Sequence, residues 1–408
     1  MMGETIIFHI DVNSAFLSWE AVYRKQQLGE ETDLRDIPSA VGGDISKRHG
    51  IILAKSVPAK KYDIRTGEPV VDALRKCPGL VLVPPNFEVY QKSSEAFLEI
   101  LRKYSDKVEQ YSIDEAFMDM TGTERLFGMP VEAATRIKDE IYHTLGFTVN
   151  VGISSNKLLA KMASDFRKPN LVHTLFPDEI EKKMWPLPVR DLFFVGKASE
   201  KKLQSLGIRT IGELAKADVN LLKTVLKKHG EVIWNFANGR DAAKLEAEPV
   251  DNKGYGNSTT LSFDVTDAQT AKSVLLSLTE TVGIRLRRDH ARIEVVSVTV
   301  RYNDFSENSH QMALRAATNI TNEIYDVACK LFDELWDGNP IRLLGVSTSK
   351  ATKQETGRQL SLFDNTDYEK LEKLDKAIDS IREKYGMDAI QRASVISHQD
   401  DKKWKKFK

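Results

Sequence analysis

The stretch that decides the fold is Val108–Met120, VEQYSIDEAFMDM, in which Asp114 and Glu115 stand side by side within a run of strand-forming residues. Neighbouring side chains of an extended chain point to opposite faces, so two adjacent carboxylates serve one site only where a strand bends or ends. An isolated Asp-Glu is ordinarily the polar tip of a hairpin, because Asp is common in turns and charged residues stay exposed. A second acidic strand end changes that reading, and IIFHIDVNSAF, Ile6–Phe16, supplies one. Asp11 closes an apolar strand just before a helix begins. Alone it could serve as the N-cap of that helix. Together with Asp114 and Glu115 it makes three carboxylates that follow apolar strands, and gathering three anions is costly unless cations neutralise them. Two magnesium ions about 3.5 to 4 Å apart would do so, and would stabilise the attacking and leaving oxygens of phosphoryl transfer. Spacing along the chain does not by itself make the two strands neighbours.

Composition narrows the setting. A chain of 408 residues with 41% hydrophobic and 29% charged residues is expected to be globular, with two to four domains rather than one core. Cys77 and Cys329 lie far apart with no ligand-spaced partner, which suggests buried thiols in a reducing compartment. The start, MMGETIIFHIDVN, has no basic region ahead of an apolar segment. No uncharged run approaches the roughly 18 residues a bilayer span needs, so a cytoplasmic location without membrane contact is expected. The 59 Lys and Arg balance 59 Asp and Glu, and bulk charge announces no polyanionic partner. Locally the picture differs: Arg190 to Lys228 holds nine basic and four acidic residues, a net of +5.

In the first half strand-like and helix-like segments alternate. TIIFHID and GIILAKS read as strands, and SAFLSWEAVYRKQ and FEVYQKSSEAFLEILRKY as amphipathic helices, the order of an α/β or α+β domain. PVEAATRIKDEIYHTLG, FTVNVGIS and NKLLAKMASDF continue it as helix, strand and helix. From about Asp178 to Gly239 the pattern turns all-helical, and RDAAKLEAEPVDNKGYGNS reads as a linker. A compact α+β domain is expected over 253–353, from the alternating RIEVVSVTVRYND and the helical AATNITNEIYDVACKLFDELW. A polar tail follows, interrupted by QLSLF and by a charged helix, YEKLEKLDKAIDSIREKYG.

HIDVNSAF, YSIDEAF and GISSNKLLAKMASDFRKPN together closely resemble the Y-family translesion DNA polymerases, of the bacterial polymerase IV (DinB) and UmuC type, from Ile6 to about Phe363. The resemblance implies a multidomain α+β right-hand polymerase. Its palm would comprise 1–12 and 81–176, its fingers 13–80, a helix-hairpin-helix thumb 177–241, a linker 242–252, a little finger 253–353 and a tail 354–408. It implies error-prone, template-directed addition of deoxynucleotides to a primer end by two-metal chemistry. Asp11, Asp114 and Glu115, with the Val12 carbonyl, would hold two Mg²⁺ ions. Primer-template DNA and deoxynucleoside triphosphates would be the substrates.

By the same resemblance Phe16 is the aromatic steric gate beneath the incoming sugar, although an aromatic there would otherwise be ordinary helix core. Lys168, in RKPN, would contact the triphosphate. Lys157 and Lys161 lie four apart on one helical face, where lysines are ordinarily solvated. VPAK stands where the polymerase IV branch carries Tyr-Pro-Ala-Arg. Val57 therefore replaces a hydroxyl, and Lys60 can neutralise phosphate without the fork of a guanidinium. DVNSAF and IRTGEP lie closer to the UmuC branch, which leaves dependence on accessory translesion subunits open.

LFFVGKASEKKLQSLGIRTIGELA resembles a helix-hairpin-helix, in which Gly196 and Lys197 would meet DNA phosphate and Phe194 replaces the usual first glycine. Arg285, Arg287 and Arg288, with Arg292, would track phosphates from the little finger. QLSLF resembles a sliding-clamp motif, with Gln359, Leu360, Leu362 and Phe363 as its contacts. A catalytically silent DNA-binding scaffold would need a broken acidic triad. A two-metal nucleotide cyclase would leave the helical hairpin and the second α+β domain without a role.

Overall fold

A computed structural model describes residues 5–44, 50–246, 251–354 and 367–392. Its contacts divide the chain into two compact units, with the boundary after Val250. Strands of the first unit are β1 Ile7–Val12, β2 Ser39–Gly42, β3 Ile52–Lys55, β4 Val81–Val83, β5 Val108–Gln110, β6 Glu115–Asp119, β7 Val149–Ser154 and β8 Val172–Thr174. Five of them form one sheet in the order β5-β6-β1-β7-β8. β1, IFHIDV, is central and buried along its whole length, which is why it reads as a near-continuous apolar run rather than an alternating one. Its two neighbours, β6 and β7, both run antiparallel to it.

One face of this sheet is covered by the helices Phe87–Arg102 and Pro130–Leu145, whose Tyr90, Phe97, Leu101, Ile137 and Ile141 close a core over Phe8, Ile10 and Val151. On the other face lies the helix Lys157–Asp165, pressed against β7 at Gly152. A Cβ on Gly152 would stand 1.9 Å from the Ala160 carbonyl oxygen, so only glycine permits this approach.

A smaller sheet, β3-β2-β4, packs with Leu17 and Ala21 of the helix Ala15–Gln27. The helices Lys197–Ser205, Ile211–Lys216, Val219–Leu226 and Lys228–Ala237 share a core that includes Leu203, Leu214, Leu222 and Ile233. The segment expected to begin a linker is fastened down. Leu245 packs on Ile7, Phe117 and Ala160, and the Glu246 amide donates to Glu109 Oε2 at 2.7 Å.

The second unit is an antiparallel sheet of β9 Gly256–Val265, β10 Ile293–Tyr302, β11 Glu307–Thr318 and β12 Ile341–Ser349, in the order β11-β10-β12-β9. The helices Ala268–Arg288 and Thr321–Leu335 bury their apolar stripes on it, with Leu275, Val282, Ile324 and Phe332 facing Val296, Val298 and Leu344. The helix Tyr368–Tyr385, which the sequence suggested was part of a tail, is bound to this unit through charges. Asp375 is paired with Arg287, and Arg382 with Glu280, all as nearly buried side chains. Among the described residues no helix is long and apolar enough to cross a membrane.

Candidate active site

The β1–β6 register answers why the strand is charged. Asp11 and Glu115 are directly paired Cα partners across the two antiparallel strands, with Asn150 of β7 on the other side of Asp11. Asp114 lies in the turn before β6, where the Tyr111 and Ser112 amides both donate to the Glu115 carbonyl. The Val12 amide donates to the Asp114 carbonyl at 3.0 Å, so the turn is tied to the end of β1. Adjacent carboxylates thus sit one on a turn and one at a strand start.

Each carboxylate already has a partner. Asp11 is only 8% exposed, and Lys168 Nζ reaches its Oδ1 at 2.8 Å while also pairing with Asp165. Glu115 Oε2 takes Lys161 Nζ at 2.7 Å and faces His9 Nε2 at 3.6 Å. Asp114 Oδ1 accepts from the Ser112 hydroxyl at 2.7 Å. Burial pushes the Asp11 carboxyl up to about 7 against the pull of Lys168. Burial would raise Glu115 as well, but the contacts with His9 and Lys161 outweigh it and hold this carboxyl below its ordinary value. Of the two, the Lys161 ammonium carries that effect. The His9 contact is beyond hydrogen-bond reach, and burial lowers the imidazole pKa, which leaves the ring neutral.

The donor set fits hard divalent cations. Asp11 and Glu115 bring two carboxylates together across β1 and β6, with Val12 next in the chain, and burial holds the Asp11 carboxyl up at about 7. Among the described residues, however, no group of three His, Cys, Asp or Glu side chains is gathered for a metal ion. The ammonium groups of Lys161 and Lys168 and the Ser112 hydroxyl hold the three carboxylates individually.

Several neighbours escaped the sequence reading. Lys161 is not a solvated lysine: it is 8% exposed, with its ammonium 5.1 Å from the Tyr111 ring centre and 5.6 Å from that of Phe193. Lys157 pairs with Glu109 at 2.7 Å. Asn13 and Asn150 are buried amides that hold the Lys168 loop. Asn13 Oδ1 accepts from the Asn170 amide, and Asn150 Nδ2 donates to the Arg167 carbonyl. Their signal was available, since polar amides inside or beside apolar strands must find partners.

Phe16, half-buried at the start of its helix, stacks on Tyr90 at 4.8 Å and lies 6.0 Å from both Trp19 and Phe87. Lys60 is exposed on the short helix Val57–Lys60, which Ser56 caps, and Val57 beside it is likewise exposed. The Lys60 charge, after burial, helps lower the Lys55 pKa, so two cations neighbour each other there. Gly196 caps the helix that begins at exposed Lys197, and a Cβ on it would meet nothing within 4 Å. Phe194, 56% exposed, has φ +74°, the left-handed conformation a glycine would take without strain.

In the second unit the expected arginine cluster divides. Arg288 is exposed, and Arg285 Nη2 donates to the Gly256 carbonyl at 2.6 Å. Arg287 is corrected: its side chain is 7% exposed, its guanidinium is shared by Asp375 and Asp379, and it donates to the Asn319 carbonyl. These partners use its donors internally, so it does not face a phosphate. Arg292 is likewise paired, with Glu372 at 3.1 Å. Gln359, Leu360, Leu362 and Phe363 lie outside the described residues.

Residues 10–165 match the impB/mucB/samB family, 252–362 its C-terminal domain, and 177–208 the IMS family HHH motif. The DNA polymerase IV of Clostridium acetobutylicum is 48% identical, over 97% of this chain and 99% of that protein. DNA polymerase IV 1 of Bacillus subtilis is 37% identical, over 97% of this chain and 94% of that protein. A solved Y-family DNA polymerase chimera shares the fold, with a TM-score of 0.73 and 23% identity over 84% of this chain and 98% of that one. The chain belongs to the impB/mucB/samB family, the Y-family DNA polymerases.

Proposed function

We propose that this chain is a template-directed DNA polymerase of the translesion type, extending a primer 3′ end with deoxynucleotides opposite damaged or undamaged template. The observation that carries the reading is the direct pairing of Asp11 with Glu115 across β1 and β6, with Asp114 tied to the same strand end. The five-stranded sheet and its helices are taken as the palm, the small sheet as the fingers, the helices from Lys197 to Ala237 as the thumb, and the second unit as the little finger. The silent-scaffold alternative is not favoured, because the three carboxylates are present and tied to one sheet end.

Asp11, Asp114, Glu115 and the Val12 carbonyl would hold two Mg²⁺ ions, which when bound neutralise charge on the attacking and leaving oxygens. The chain's own residues do the rest. Lys168, 32% exposed and shared between two carboxylates, has the freedom to exchange one of them for a phosphate oxygen. Asn13 and Asn150 fix the loop that carries it. Phe16, backed by Tyr90, presents a ring whose bulk would exclude a ribose 2′-hydroxyl.

The test is primer extension by Asp11→Ala, Asp114→Ala and Glu115→Ala proteins. Removing one ligand should cost several kcal/mol of transition-state stabilisation, on the order of a thousandfold or more in rate, with primer-template binding largely retained. Near-normal extension by a folded Asp114→Ala protein would remove the mechanism.

A further inference from the structure

Two lysines meet the acidic pair, and they are held in different ways. Lys168 is a third exposed, and it divides its ammonium between Asp11 and Asp165. Lys161 is nearly buried and has one carboxylate partner, Glu115 Oε2 at 2.7 Å, with the rings of Tyr111 and Phe193 enclosing its ammonium. Its backbone has little freedom, because the helix Lys157–Asp165 lies so close to β7 that a Cβ at Gly152 would stand 1.9 Å from the Ala160 carbonyl oxygen. Lys168 can therefore leave its carboxylate for another anion, whereas Lys161 has no exit.

We propose that Lys161 is a resident counter-ion of the acidic pair, a positioning residue that fixes Glu115 and weakens the hold of Asp11 and Glu115 on divalent cations when no nucleotide is bound. The proposal rests on the reading of these carboxylates as metal ligands. A fixed positive charge at 2.7 Å makes the site one unit less negative, so an incoming cation gains less from it. The phosphates of a nucleotide would restore the missing negative charge, which makes cation binding and nucleotide binding mutually reinforcing. The cation–π cage is what distinguishes this lysine from a surface ion pair. It keeps the ammonium in place without a second carboxylate that would cancel its charge.

The test is Mn²⁺ binding to the full chain, read by the electron paramagnetic resonance of free Mn²⁺ at pH 8, with no DNA or nucleotide. Lys161→Met and Lys161→Gln should each bind the ion about tenfold more tightly than the parent, the scale set by one nearby unit charge in a partly hydrated site. Lys161→Arg, which keeps the charge, should restore the parent affinity. The two neutral variants guard against one failing to fold. Adding a deoxynucleoside triphosphate should tighten Mn²⁺ binding more in the parent than in Lys161→Met. Asp11→Asn and Glu115→Gln are the controls for the underlying reading. If Mn²⁺ binding survives in both controls, these carboxylates are not the metal site and both conclusions fall. If the controls lose binding while Lys161→Met and Lys161→Gln bind as the parent does, or more weakly, the Lys161 proposal alone is overturned.

Discussion

Asp11 holds a proton near neutrality and Glu115 does not, although they are strand partners. The carboxyl of Asp11 is raised by burial from 3.8 to about 7, so the folded state binds its proton more tightly than the unfolded chain does. The stability this provides is complete below the unfolded value and is lost as pH rises through about 7. A cation must displace that proton, so divalent affinity should decline as pH falls below about 7, with proton release on binding. Calorimetry in buffers of different ionisation heat checks this; affinity that stays constant as pH falls from about 7 would contradict it. Phe16→Ala should raise the kcat/KM for ribonucleotides relative to deoxynucleotides, at a stability cost of about 0.5–1.5 kcal/mol from the lost Tyr90 stack. An unchanged ratio in an active variant would return Phe16 to the core. At position 194 two substitutions separate strain from packing. Glycine and alanine both remove the ring, but only glycine relieves φ +74°, so Phe194→Gly should be more stable than Phe194→Ala by about 1 kcal/mol in urea unfolding.

Elements divide into those whose pattern is local and those whose role depends on a distant partner. The acidic strand end at Asp11 was legible, because it closes an apolar run whose burial the sequence declares, whereas Asp114 and Glu115 stand ahead of the buried Ala116–Met118 of β6 rather than behind an apolar strand. The buried state of Lys161 was not, since it follows from the close approach at Gly152, and nothing in NKLLAK specifies which face that contact covers. Nor was the helix Tyr368–Tyr385, whose sequence reads as a solvated charged helix while Asp375 and Arg382 are buried. Arginines clustered at one end of a helix look alike in sequence whether they await phosphate or already face Asp375 and Asp379. Binding assays should separate them. Arg287→Ala would leave Asp379 unpaired and Asp375 with Arg392 as its remaining cation, at 3.5 Å, and cost about 3 kcal/mol of stability with the salt dependence of DNA binding unchanged. Arg288→Ala should leave stability alone and reduce the salt slope by about 1. The opposite pattern would reinstate Arg287 as a DNA contact.

At the scale of the whole molecule, the two units are joined through 240–250, whose start is pinned by Leu245 and by Glu109. Replacing Gln359, Leu362 and Phe363 together by alanine should leave distributive synthesis on short primers unchanged and abolish stimulation by a sliding clamp, as a weak peptide tether would. Full stimulation of the triple variant would refute that role. How this is tested matters, because of what Asp375 does. The helix Thr321–Leu335 has no side-chain cap from its own N-cap residue, Ile320. The Thr321 amide instead donates to Asp375 Oδ2 at 2.8 Å, supplied from 54 positions further along the chain. A stop codon placed at Gln354, the natural way to delete a tail motif, would therefore also uncap a helix in the core of the preceding domain and strand Arg287 without its anions. Loss of activity in such a truncation would report a damaged domain rather than a lost tether, whereas point substitutions within 359–363 leave Asp375 in place and tell the two apart.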